Sequence, residues 1–337
     1  MISRREFLRN IALVGAGLAL PPGVELVRAG AAATTPAKTV RMTAHGRVSR
    51  QTGDDPHPQV PLPGGTLDPL TVPKYVTPLV IPPAMPVSDT VTGQNGEPID
   101  YYEIGVRQFE QNILPDSLNL PTTVWSYGSE TSAGTYNYPA YTIEAQHKRP
   151  VRVKWINKLV DSNNNYLPHL LTVDPTLHWA NPYGPRDSRP TFTELNPPTP
   201  YTGPVPMVVH VHGGHTSDES DGYAEAWYLP AASNTPAEVA FTTGTMYDEF
   251  RMKAEKKYGV TWTPGSAIYQ YENDQRANTN WYHDHSLGMT RLNVYAGPAG
   301  FYLIRGGPDD LPAGTLPGGA YEIPIVVQDR SFNSDGS

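Results

Sequence analysis

The stretch "NWYHDHSLGMTRLNVYAG", residues 280–297, places His283 and His285 two positions apart in an aromatic and apolar segment. The earlier stretch "MVVHVHGGHTSDESDGYAEAWY" repeats this spacing with His210 and His212. Because side chains alternate between the two faces of a strand, residues i and i+2 share a face. Each pair therefore predicts two imidazoles on one side of one strand.

Two such strands lying side by side would bring four imidazoles together. A site rich in nitrogen suits zinc or copper, because imidazole is a good ligand for both metals. Gly213 and Gly214, directly after the first pair, would allow a close approach of the backbone. One His-x-His is weak support for a metal site, but two in one chain favour it. We call these residues the four paired histidines: His210, His212, His283 and His285.

Other conspicuous side chains are interpreted as structural. His215 follows the two glycines and is expected to face solvent. Met289 is predicted to lie in the core. Aromatic residues near the pairs are predicted to pack rather than to carry electrons: Trp227, Trp281 and Tyr282. Isolated histidines are predicted to be structural or on the surface: His45, His57, His147, His169 and His178.

The composition excludes several classes of site. The chain has 337 residues and no cysteine, so disulfides, thiolate-ligated metals, iron–sulfur centres and cysteine nucleophiles are absent from it. The formal net charge of -8 disfavours nucleic acid and anionic membranes as partners. With 30 Gly, 36 Pro and 20 Tyr, the chain favours turns and extended segments over a helical bundle.

Short apolar or alternating runs, separated by turn residues, predict an all-β Greek-key sandwich or barrel with long loop insertions. A short helix is predicted at residues 246–258, and the insertions at about 161–204 and 234–278. Strands are predicted at residues 99–113, 122–128, 141–145, 151–157, 206–212, 266–273, 279–285 and 321–329, and one or two more within residues 292–306.

The beginning of the chain has the pattern of an export signal. Arg4 and Arg5 precede the apolar run "IALVGAGLAL", and small residues follow it. This predicts a signal peptide of the twin-arginine type over residues 1–33, and hence a periplasmic, extracellular or cell-surface location. An ordinary secretory signal or an uncleaved anchor is the alternative. Residues 34–86 are rich in proline and predict an extended arm.

Two segments, "HVHGGHTSDESDGYAEAW" and "NWYHDHSLGMTRLNVYAGPAGFYLI", closely resemble the first-domain copper motifs of multicopper oxidases. The resemblance is nearest to the branch of bacterial spore-coat laccases and bilirubin oxidases. It extends more weakly from about residue 68 to residue 337, where "IPIVVQDRSFNSDGS" resembles the junction between the first two domains. It implies a cupredoxin-like domain over residues 87–330 and a truncated interdomain linker over 331–337.

The resemblance also implies roles for individual residues. His210 would bind the type 2 copper, His212 and His283 would share one type 3 copper, and His285 would bind the other. In the family, this trinuclear copper centre reduces O2 by four electrons to water. Asp221 matches an acidic position near the type 2 copper that relays protons. The alternative for Asp221 is a solvated turn residue.

The chain departs from the family pattern in one important respect. In the family, the last domain supplies half of the trinuclear ligands and the cysteine of the type 1 copper, but this chain has no cysteine and no paired histidines after His285. The resemblance therefore implies the N-terminal part of an exported oxidase of phenolic, bilirubin-like or metal-ion substrates. That part would be inactive without the missing C-terminal oxidase domains as its partners. A single-domain copper-binding scaffold, or one subunit of a split oxidase, is the alternative.

Overall fold

The computed structural model describes residues 65–187, 200–312 and 314–337. The predicted signal peptide and residues 34–64 of the predicted arm lie outside the described residues. From residue 65 to residue 86 the chain forms neither a helix nor a strand. Most of the side chains in this segment are exposed.

The described residues form an all-β structure with few helices. The strands are β1 (Asp89–Thr92), β2 (Pro98–Gln111), β3 (Thr122–Ser129), β4 (Ala140–Gln146), β5 (Val151–Asn157), β6 (Val209–His212), β7 (Ser266–Tyr271), β8 (Asn278–Asp284) and β9 (Ala299–Arg305). The α-helices are α1 (Tyr247–Tyr258) and α2 (Thr290–Ala296). Single 3-10 turns occur at Asp116–Leu118, Ala133–Thr135, Asp218–Ser220, Ala224–Ala226 and Gly319–Tyr321.

The strands form two sheets. In the first, β2 pairs with β1 and β3 along one edge and with β5 along the other, and β7 pairs with β5. The second sheet has the order β4-β9-β8-β6. The β2–β5 and β4–β9 pairs are parallel, whereas all other strand pairs are antiparallel. This mixed pairing across two layers is a cupredoxin-like β-sandwich, as the sequence predicts.

Aromatic side chains fill the space between the sheets. Tyr127 of β3 and Trp155 of β5 each lie 5.3 Å, between ring centroids, from Tyr282 of β8. All three rings are at most 1% exposed. Tyr282 also donates a hydrogen bond of 2.6 Å from its hydroxyl group to the carbonyl of Tyr141. Large buried aromatic rings give such a core much of its stability, so Tyr282 holds the histidine-bearing sheet against the first sheet.

One predicted strand is in part a helix. Residues 290–296, at the start of the predicted 292–306 strand, form α2, and only the later part forms β9. Leu292, Asn293 and Ala296 are buried, and the spacing of i to i+4 is the period of a helix rather than of a strand. Gly297 ends the helix with a φ of 142°.

The last predicted strand, residues 321–329, does not form. Val327 is 93% exposed, and Ile325 and Val326 are also largely exposed. Residues with high β-propensity form a strand only when a partner pairs with them, and no strand pairs with this segment among the described residues. In contrast, β1 forms although it was not predicted. Its four residues pair with β2, but such a short run has too few alternating positions to indicate a strand.

No helix in the described ranges has both the length and the apolar character needed to cross a bilayer.

Candidate metal centre

Strands β6 and β8 bring the two histidine pairs together. They are antiparallel neighbours, with His210 opposite His283 and His212 opposite Trp281. The ladder continues past the end of β8, because the backbone N–H of His285 donates to the carbonyl of Val208 at 2.8 Å. The four paired histidines therefore lie at one end of the second sheet.

The four imidazole rings form a single cluster. The ring centroid of His210 lies 5.0 Å from that of His285, 5.6 Å from that of His283 and 5.7 Å from that of His212. His283 lies 5.6 Å from His212 and 5.9 Å from His285. Rings at these distances can place nitrogen atoms around one small volume.

Backbone carbonyls determine which ring nitrogen is free in two of the histidines. His210 Nδ1 lies 2.6 Å from the carbonyl oxygen of Asp221, and His283 Nδ1 lies 2.6 Å from that of Asp284. A carbonyl only accepts hydrogen bonds, so each Nδ1 carries the proton and Nε2 keeps its lone pair. Such a bond to the second ring nitrogen is the usual way in which a protein orients a metal-binding histidine.

The remaining ring nitrogens also fit a metal. His212 Nδ1 lies 3.4 Å from His283 Nε2. Two nitrogens bound to one ion at ~2.0 Å with tetrahedral geometry are about 3.3 Å apart, so this pair fits a shared ion. His285 Nδ1 is buried and has no hydrogen-bond partner among the described residues. A buried polar atom without a partner is costly, and a bound cation would satisfy it.

The cluster is an open site. Within the ranges that the structure describes, no group of three or more His, Cys, Asp or Glu side chains could hold one metal ion. Closed structural zinc sites use four ligands around one ion. The cluster therefore offers one pair of facing nitrogens, from His212 and His283, and two further imidazoles, from His210 and His285. Each of these partial ligand sets is too small to form a closed metal site by itself.

Burial keeps the two histidines of the β8 pair neutral. Burial lowers the pKa of the His283 imidazole to about 4, and the neighbouring imidazoles lower it further than burial alone would. Burial likewise lowers the pKa of His285, with His210 adding to the effect. A neutral imidazole is the form that binds a metal, so both rings are ready to bind a metal at neutral pH.

Asp221 lies at the edge of the cluster. Its Oδ1 is 3.6 Å from His210 Nδ1 and accepts a hydrogen bond from Thr216 Oγ1 at 2.5 Å. Its side chain is 37% exposed, so the carboxylate contacts both the cluster and solvent. Gly222 follows with a φ of +79°, and a Cβ there would lie 2.0 Å from the carbonyl oxygen of Val209. Glycine is needed at this position for the Asp221 turn to pack against β6.

The structure places the other singled-out residues largely as the sequence predicts. His215 is exposed, with Nδ1 2.8 Å from Asp274 Oδ1. Trp227, Tyr282 and Met289 are buried. His169 is mostly buried against Asn293, while His147 is half-buried and His178 is exposed. His45 and His57 lie outside the described residues.

Trp281 and Asp284 adjoin the histidine cluster. Trp281 is 38% exposed, and its ring lies 4.1 Å from the ring of His283 and 5.4 Å from that of His212. It therefore packs on the histidines, which agrees with the packing role predicted from the sequence. Asp284 is 0% exposed, and burial raises its pKa to about 6. The only sequence signal for Asp284 was a charged residue on the inward face of a strand.

Known proteins with similar sequences are laccases and multicopper oxidases. The chain is 34% identical over 237 residues to a laccase of Bacillus stratosphericus and 32% identical over 255 residues to a laccase of Bacillus subtilis. It is 34% identical over 220 residues to multicopper oxidase LPR1 of Arabidopsis thaliana. These matches cover 70%, 75% and 65% of this chain but only 35%, 38% and 29% of the relatives.

Solved structures of similar proteins are also multicopper oxidases. One from Campylobacter jejuni, described as a metallo-oxidase, has a TM-score of 0.40 at 15% identity and covers 73% of this chain and 32% of that one. One from Pediococcus acidilactici has a TM-score of 0.39 at 17% identity and covers 70% and 31%. No protein-family model matches the chain.

The chain belongs to the multicopper oxidase family, on the strength of its similarity in sequence to these laccases and oxidases. It spans about a third of the length of the curated relatives it matches. Family membership implies copper as the metal, and the imidazoles of the cluster are suitable copper ligands.

Proposed function

We propose that this chain supplies half of the ligands of a trinuclear copper centre in an exported multicopper oxidase. The observation that carries the proposal is the cluster itself, in which imidazole rings from two paired strands face one another and backbone carbonyls hold Nδ1 of His210 and of His283, so that each Nε2 keeps its lone pair. The parent oxidase would oxidise phenolic, bilirubin-like or metal-ion substrates one electron at a time. When bound, copper would supply the four-electron reduction of O2 to water.

Each histidine has a proposed place in the centre. His212 and His283 would share one type 3 copper, since their facing nitrogens are 3.4 Å apart. His285 would bind the other type 3 copper through a ring whose Nδ1 has no described partner. His210 would bind the type 2 copper through Nε2, because its Nδ1 is held by the carbonyl of Asp221.

The residues around the cluster would orient the histidine rings and relay protons to the copper centre. Carbonyl groups of Asp221 and Asp284 hold two rings in one tautomer and one direction. Trp281 packs on the rings of His212 and His283 and would help to fix their orientation. The Asp221 carboxylate would serve as the proton relay between solvent and the cluster, because it is partly exposed and its Oδ1 lies 3.6 Å from His210 Nδ1.

The chain alone is proposed to lack oxidase activity. It contains no cysteine for a type 1 copper, where substrate electrons would enter, and each of its partial sites has too few ligands to fix a copper ion well. Its partners would be the C-terminal oxidase domains, in the same parent chain or in a separate subunit. Export through the twin-arginine pathway to the periplasm or cell surface is proposed from the Arg4–Arg5 segment.

Two measurements on the purified 337-residue chain test these proposals. Copper(II) titration should show binding that is lost when His212 and His283 are both replaced by alanine. Assay with a phenolic dye and saturating copper should show no turnover. Dye oxidation by the chain alone would refute the dependence on partner domains, and copper binding that survives the double replacement would refute the site. Tight copper binding to a site that is complete within this chain, without turnover, would instead favour a copper-binding scaffold.

A further inference from the structure

Asp284 is a buried carboxylate that the proposed copper chemistry does not use. Its Oδ1 accepts hydrogen bonds from the Val208 N–H at 3.1 Å and from Ser286 Oγ at 2.9 Å. Its Oδ2 accepts from the Ser286 N–H at 3.0 Å and from Asn293 Nδ2 at 2.8 Å. None of the ion pairs among the described residues includes it. A carboxylate removed from water without a cation is costly even when it is hydrogen-bonded.

These four bonds connect the elements that carry the histidines. Val208 lies directly before β6 and two residues before His210, and Ser286 directly follows His285. Asn293 belongs to α2, which packs behind β8. In addition, the backbone carbonyl of Asp284 accepts the hydrogen bond that sets the tautomer of His283. One residue thus contacts both strands of the cluster and orients one of its rings.

The pairing that it reinforces is short. Only four residues of β6, Val209–His212, pair with β8. A slip of one residue would turn every side chain of β6 to the opposite face, and smaller shifts would change the 3.4 Å separation of His212 Nδ1 and His283 Nε2. A short ladder resists such shifts poorly, so a buried anchor at its end has a large effect on the histidines.

We propose that Asp284 is a positioning residue of the metal centre, whose buried carboxylate holds β6 against β8 so that the four paired histidines face one another. Asp284 touches neither the metal nor the substrate and acts through the backbone of Val208 and Ser286. The proposal rests on the proposed function, because copper binding is the property used to measure the geometry of the cluster.

The variant Asp284→Asn tests this proposal with almost no change in volume. An amide nitrogen cannot accept a hydrogen bond, so either the Val208 N–H or the Ser286 N–H loses its acceptor. We expect the copper(II) affinity of the 337-residue chain, measured by competition with a chelator, to fall about 10–100-fold, as for other residues that orient metal ligands. The electron paramagnetic resonance spectrum of bound copper(II) should change as well.

Ile104→Ala is the matched control for general destabilisation. Ile104 is fully buried in β2 of the first sheet, so this variant should melt at a lower temperature yet keep the wild-type copper affinity and spectrum. An unchanged affinity and spectrum in Asp284→Asn would overturn the proposal. So would an equal loss of affinity in Ile104→Ala, since the effect would then be one of stability.

A measurement without metal separates this inference from the proposed function. Nitrogen-15 spectra of the imidazoles in the metal-free chain should show His283 protonated at Nδ1 in both proteins, because the backbone carbonyl of residue 284 stays in place. The signals of His212 Nδ1 and His283 Nε2 should shift in Asp284→Asn, because the 3.4 Å separation of these two atoms changes. If the wild-type chain binds no copper, the proposed function fails, while these spectra still decide the role of Asp284. Identical spectra in the two proteins would overturn it.

Discussion

Strands β6 and β8 carry the same His-x-His spacing in different surroundings. In β6 the intervening residue is the apolar Val211, and His212 is exposed. In β8 it is the carboxylate of Asp284, and His283 is only 4% exposed. His210 is oriented by a carbonyl from a turn 11 residues away, whereas His283 is oriented by the next residue in its own strand. The same spacing therefore puts both histidines of each pair on one face of the strand, but the burial and hydrogen-bond partners of the two pairs differ.

The largest expected difference between the two strands is in their contribution to stability. It concerns Val211 of β6 and Tyr282 of β8, which face each other across the ladder. Tyr282→Ala should lower the free energy of unfolding by about 3–5 kcal/mol, because a fully buried ring packed on Trp155 is removed. Val211→Ala should cost only about 2 kcal/mol, since it removes two buried methyl groups. Denaturant unfolding measures both values, and equal losses would mean that β6 anchors the sandwich as firmly as β8.

The histidine pairs test whether the two strands form one site. Replacing both His210 and His212 by alanine, or both His283 and His285, should lower copper(II) affinity by more than the ~10–100-fold typical of a lost outer partner. The two losses should be alike, because the 3.4 Å pair of nitrogens spans the strands. The exposed His178 supplies a control variant, His178→Ala. Loss of affinity from only one of the two double variants would show that a single strand binds the metal.

Acid should weaken the contribution to stability of His169, which lies behind β8. His169 Nε2 lies 3.0 Å from Asn293 Oδ1, behind β8, and burial lowers the pKa of His169 to about 4. Between pH 6.5 and 4 the unfolded chain therefore binds more protons than the folded chain at this residue, so its contribution to stability falls as the pH falls. The loss should be about 2 kcal/mol between pH 6.5 and 5.

The variant His169→Gln isolates that contribution. Its unfolding free energy should fall less steeply than that of the wild type over the same pH range, whatever its stability at pH 7. Denaturant melts at several pH values measure the two slopes. Parallel slopes would show that His169 does not titrate differently in the folded and unfolded chains.

The smallest effect is expected for the carboxylate on the β6 side. Asp221 orients His210 through its backbone carbonyl, which a side-chain substitution leaves in place. Asp221→Asn should therefore leave copper affinity close to wild type, in contrast to Asp284→Asn. Chelator competition compares the two variants under the same conditions. A large loss for Asp221→Asn would show that its side chain, rather than its carbonyl, organises the site.

Much of the architecture could be predicted from local patterns, and the exceptions have physical reasons. The alternation of β5 and the helical spacing of α1 were readable because period and burial agree. Residues 292–296, "LNVYA", misled because a short and mostly apolar stretch suits a strand or a buried helix equally well. Residues 321–329 misled because β-branched residues need a pairing strand, and pairing is not a local property.

The sequence by itself determined that each histidine pair shares a face, because the two-residue period of a strand is set by the backbone alone. The motifs around the pairs also determined the family. Tertiary structure decided that β6 meets β8 in register, since the facing nitrogens of His212 and His283 belong to residues 71 positions apart. It also decided which ring nitrogens are free and how Asp284 is buried. These properties depend on carbonyls and donors brought in by packing, which no local pattern encodes.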